Sequence, residues 1–135
     1  MCLNTRKKLK EKKAFIKSLK PERDGYIWLW KVFGCWSNGE LTGQFKRYDF
    51  YEGLNVAKGT VIRDLYGDED YTQYTPGFHC FTTKGAAIWW MNNSNTRRAL
   101  GVERIIAPVK VRKSWITDVG VQSNRTAVVC KKMIF

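Results

Sequence analysis

A chain of 135 residues with 44% hydrophobic and 14% aromatic residues can bury one modest core and is too apolar to stay disordered. Its net charge of +12 argues for a polyanionic partner. No apolar run reaches the roughly 18 residues of a membrane span and no basic-then-apolar leader opens the chain. The sequence therefore predicts a cytoplasmic protein with no membrane contact.

The charge is uneven. Residues 1–23 hold nine Lys or Arg against two acids, residues 24–83 five against eight, and residues 84–135 ten against two. In the first of these, Arg6, Lys7, Lys8, Lys10, Lys12, Lys13 and Lys17 surround a narrow apolar face of Leu9, Ile16 and Leu19. That pattern predicts a basic N-terminal arm or helix over residues 1–24, capped by Thr5 and stopped by Pro21. With so little apolar surface, it should dock weakly on the rest or order on a partner, its cations gripping nucleic acid.

A second unit, residues 25–135, follows. In "GYIWLWKVFG", Tyr26, Trp28, Trp30 and Val32 alternate with Ile27, Leu29, Lys31 and Phe33. Both sets are largely apolar, which predicts a central strand covered on two sides. Asn38-Gly39 is a turn signal. An amphipathic segment, a strand at Thr60–Leu65 and an acidic, tyrosine-rich loop closed by Pro76-Gly77 come next. "GFHCFTT" predicts a strand, and Thr82 or Thr83 can cap a helix from Lys84 to about Asn92. "VERIIAPVKVRK", "SWITDV" and "RTAVVCKKMIF" predict three more strands, with Pro108 at an edge or bulge. The fold class is a single α+β domain: a mainly antiparallel sheet of roughly four to seven strands with one internal helix.

Cys2, Cys35, Cys80 and Cys130 are widely spaced with no CxxC pair, so thiols of a reducing compartment are expected and no metal or other cofactor.

The opening "MCLNT", the strand "YIWLWKVF", the central "YEGLNVAKGT" and the block "GFHCFTTKGAA" together resemble a group of small phage and gut-bacterial proteins. That resemblance covers most of the chain and implies a mobile-element setting. "GFHCFTTKGAAIWW" also resembles the heart of ADP-ribosyltransferases, where such residues shape a nicotinamide pocket. Those enzymes add an early basic or histidine residue and a late carboxylate; here the early strand offers Lys31, and the last fifty residues offer Glu103 and Asp118.

The candidate binding residues cluster around that block. His79, the only histidine, shares a strand face with Phe81 and with it could cradle a base or ribose. A lone histidine in a packed strand needs no special role, so both readings stand. Trp89 and Trp90 diverge by about 100° on a helix, so one should pack on the sheet and the other sit at a rim; Trp90 is the candidate for a ligand. Asn92, Asn93, Arg97 and Arg98 suit phosphate or ribose, and Arg125 suits a bidentate phosphate contact. No catalytic group is assigned. The expected function is a non-catalytic binding protein of a phage or mobile element, with nucleic acid as its polyanionic ligand. One alternative is an anti-defence protein that sequesters a nucleotide or an ADP-ribose-derived immune signal, and another is an ADP-ribosyltransferase-like enzyme. A homo-oligomer is compatible with each.

Overall fold

The computed structural model describes residues 5–36, 38, 41–42, 49–50, 52–57, 77–93, 102–122 and 125–135. The expected strand at Thr60–Leu65, the acidic loop, most of the amphipathic segment and the turn beyond Asn93 lie outside these residues. The elements in chain order are β1 (Thr5–Arg6), α1 (Leu9–Ser18), β2 (Ile27–Trp36), β3 (Leu41–Thr42), β4 (Asp49–Phe50), β5 (Leu54–Val56) and β6 (Phe78–Phe81). They continue with α2 (Lys84–Asn93), β7 (Val102–Val111), β8 (Ile116–Gln122), β9 (Arg125–Cys130) and β10 (Lys132–Ile134). The strands form one sheet in the order β1-β8-β9-β6-β2-β7-β10-β5, with β3 beside β2 and β4 beside β3. Each described pairing is antiparallel, so the chain is a single α+β domain built mainly on a sheet. The strands outnumber the expected range because β1, β3 and β4 are two residues long, too short to leave a periodicity.

The longest ladder joins β2 to β7 over ten register pairs, from Ile27↔Val111 to Trp36↔Val102. β2 is central, as its two apolar faces require. Pro108 lies opposite Trp30 in this ladder, whereas β10 reaches β7 only at Lys110, so the proline's missing amide meets an open flank. The expected edge is thus local, inside a strand that is otherwise paired.

The last predicted strand breaks at Lys131, and the break shapes the whole sheet. β9 and β10 are separated by that single residue, yet β6, β2 and β7 lie between them in the sheet. Four interstrand spacings would place them about 19 Å apart in a flat sheet, while two residue steps span at most about 7 Å. The sheet must therefore curl into a partial barrel with an inner and an outer face. Its corner is held where the Lys131 amide donates to Trp115 O (2.8 Å) and its carbonyl accepts from the Ala57 amide (2.8 Å).

The inner face is the main core: Leu29, Phe33, Phe78, Cys80, Val109, Val119, Val128 and Met133 are buried together. Phe33 meets Phe50 edge-on at 5.0 Å between centroids, a favoured aromatic geometry. α1 covers part of this core with Phe15, Ile16 and Leu19, half-buried against it. The segment before it is paired, not loose: Thr5 and Arg6 run beside Val121 and Gly120 of β8. Thr5 is thereby a strand residue; α1 starts after Lys8, which offers no side-chain cap.

The outer face carries the second cluster, where α2 lays Ala86, Ala87 and Trp90 over Val32, Phe81, Ala127 and Val129. The small alanines let the helix approach the sheet closely. Thr83 is the cap, its hydroxyl accepting from the Ala86 amide at 3.1 Å.

Two glycines separate backbone crowding from helix propensity. A Cβ at Gly77 would sit 2.6 Å from Cys130 O and 2.7 Å from Val129 Cγ1, whereas one at Gly85 meets nothing within 4 Å. Gly77→Ala should cost about 2 kcal/mol or more. Gly85→Ala, in the first turn of α2, should raise stability by up to about 1 kcal/mol. Urea denaturation of both variants checks the pair.

Candidate nucleic-acid interface

Among the described residues α2 covers only part of the outer face, and register fixes which side chains share the rest. Trp28 pairs with Lys110, Lys110 with Ile134, and Ile134 with Leu54, so these four side chains form one row across four strands. Directly opposed residues share a face, and Val109 and Met133 beside them belong to the inner core. Trp28 is 45% exposed and Leu54 56%, large values for residues in paired strands. One step along, Val56 pairs with Lys132.

Each aromatic ring of this open region has a cation over it. Lys110 Nζ is 4.9 Å from the Trp28 ring centroid, Lys84 Nζ is 5.3 Å from that of Trp30, and the Arg112 guanidinium carbon is 4.3 Å from that of Tyr26. All three fall within the roughly 6 Å over which a ring quadrupole attracts a cation. Arg112 also donates to Tyr26 Oη at 3.1 Å, and Lys110 pairs with Asp24 at 3.2 Å. Hydrogen bonding from the Tyr26 amide, aided by Lys110, holds the exposed Asp24 carboxyl below the usual carboxylate range. The result is a ladder of rings and cations, exposed at Trp28 and half-buried at Tyr26 and Trp30, the last packed beside the α2 cluster.

The residues expected to bind ligand are divided between the core and the helix rim. His79 and Phe81 point outward from β6 but are buried, with 6% and 1% exposure. Phe81 packs on Trp90 with the rings tilted (6.0 Å between centroids), and Trp90 is itself packed beneath Arg104. Arg104 also donates to Met91 O at 2.9 Å, placing a cation at the C-terminal end of α2. Of the tryptophan pair, Trp90 takes the core and Trp89 the rim, where the Arg125 guanidinium carbon lies 4.6 Å from its ring centroid. Asn92 and Asn93 are exposed at the end of α2, with Asn93 Nδ2 donating to Trp89 O. Arg97 and Arg98 lie outside the described residues.

The basic arm is spread over α1. Lys8, Lys10, Lys13 and Lys17 are exposed, Lys7 is half-buried, and Lys12 reaches Thr117 O at 3.3 Å. Arg6 contributes its backbone to β1. α1 packs on the inner core through Phe15, Ile16 and Leu19, and its C-terminal end meets the chain after β7, where Lys113 Nζ donates to Lys17 O at 3.1 Å.

Sequence reasoning missed an ionisable cluster in the core. Lys31 is inside, its Nζ donating to His79 O at 3.0 Å and lying 5.7 and 5.5 Å from the Phe33 and Phe50 ring centroids. Burial pushes its pKa down, opposed by the nearby Cys80 and Cys130 thiols. Those two thiols are hydrogen-bonded to each other, which together with burial holds Cys130 protonated well above its ordinary range. The same hydrogen bond, aided by the Lys31 charge, pulls the Cys80 thiol below its ordinary range against the effect of burial. The only sequence signal was the lone lysine among apolar alternates at Lys31.

Among the described residues, no three His, Cys, Asp or Glu side chains converge as metal ligands, and no helix is long and apolar enough to cross a membrane. Compared with family models, curated proteins and solved structures, the chain matches none.

His79 gives a test of the buried face. Burial, followed by the Lys31 charge, lowers its pKa from 6.5 to about 3. Between those values the unfolded chain binds a proton that the folded chain refuses. Stability is therefore full above pH 6.5 and is lost as the pH falls from there toward 3. The loss should be about 2 kcal/mol between pH 7 and pH 5. Denaturation midpoints of His79→Gln across this range should show that much less pH dependence than the wild type.

Proposed function

We propose that this protein works by binding, and that its ligand is nucleic acid held on the open outer face of the sheet. The observation that carries the reading is the ladder itself: Tyr26, Trp28 and Trp30, each with a cation over its ring, Trp28 being 45% exposed and Tyr26 and Trp30 half-buried. Cations neutralise phosphates and release their counterions, while exposed rings offer every base a π-face. The net charge of +12 supports the same ligand class. The resemblance of its motifs to small phage and gut-bacterial proteins supports a mobile-element setting. Retention of a nucleotide by His79 and Phe81 is less well supported, because both side chains are packed under neighbours.

The binding should weaken steeply with salt. Changing Lys110, Arg112 and Lys132 to Gln removes three cations from the open face, and should flatten the slope of log K against log salt by about 2 for a labelled oligonucleotide. Lys8, Lys10 and Lys13 changed to Gln, all on α1, should leave affinity within about twofold. Anisotropy titrations at several salt concentrations make the comparison. The opposite pattern, with the α1 variant losing the slope, would move the site to the arm.

A further inference from the structure

Resting on the reading just given, we infer that the ligand is single-stranded, with three successive unpaired bases seated along β2. Tyr26, Trp28 and Trp30 recur at every second residue on one face, so their Cα atoms are spaced about 6.6 Å apart. Bases stacked in a duplex strand rise about 3.4 Å each. Rings at twice that spacing do not match a duplex stack; they match a strand stretched so that each base leaves its neighbours and lies on its own ring.

The cations follow the same period. Tyr26 has Arg112, Trp28 has Lys110 and Trp30 has Lys84, giving one ring and one cation per nucleotide. Two of those cations come from β7 and the residue just after it: the β2–β7 register places Trp28 opposite Lys110, and Arg112 follows Val111, the partner of Ile27. The third comes from the first residue of α2. Phosphates would therefore run beside the rings, over β7 and then toward α2. The rings read stacking and not base edges, so sequence preference should be slight. A duplex buries its base faces in its own stack and offers this face only phosphates.

The test uses the full chain and three probes: oligodeoxythymidine of about twelve nucleotides, a hairpin duplex carrying the same number of phosphates, and inorganic polyphosphate. The wild type should bind the single strand at least tenfold more tightly than the hairpin. Trp28→Ala should weaken the single-strand complex by about tenfold or more while leaving polyphosphate affinity unchanged, and Trp28→Phe should recover most of the loss. Trp28 is 45% exposed, so thermal melting of both variants should match the wild type. Equal affinity for hairpin and single strand, or a Trp28→Ala loss shared equally by polyphosphate, overturns single-strand stacking while leaving nucleic-acid binding intact. Failure of all three probes to bind overturns both.

Discussion

The ten-pair ladder between β2 and β7 is the constraint on which the rest depends. Side chains alternate along both strands, so a slip of one residue would turn Leu29, Phe33, Val109 and Val111 outward and bring Trp28 and Lys110 in. The inner set is almost wholly buried, and that burial fixes the register. At roughly 1.5–3 kcal/mol per large apolar side chain, a slip is prohibitive. The ring–cation ladder is thus a consequence of core packing on the opposite face. It exists because the inner residues cannot be anywhere else.

The curl of the sheet follows from a second local fact, the single-residue link between β9 and β10. It encloses the inner residues so that even a polar group trapped among them must find internal partners. Lys31 is such a group. A buried ammonium is costly, and this one is offset by the His79 carbonyl and two aromatic rings.

Much of the fold was legible because long strands announce themselves by alternation. β2, β6, β7 and the Thr83-capped helix fall where the pattern puts them. The two-residue ladders were not legible, since pairing there is decided by what lies alongside and not by local composition. Nor was the break at Lys131: "RTAVVCKKMIF" is continuously strand-like, and only the sheet order shows that it turns a corner. The site was read in part. Aromatics interleaved with cations stand out near α2, but the alternation in β2 by itself signals only two covered faces. Whether a face is covered depends on where α2 lands, and one strand's sequence contains no information on that. Arg125 over Trp89 shows the converse, a cation–aromatic pair between residues distant in the chain.

Backbone amide shifts during titration with a single-stranded oligonucleotide discriminate most directly between the surfaces. The changes should be confined to residues 26–30 at the start of β2, 108–112 at the end of β7, the neighbouring β10 and the first turn of α2. The lysine-bearing α1 should stay unmoved. Changes concentrated on residues 7–17, with β2 and β7 silent, would contradict the open face as the site of binding.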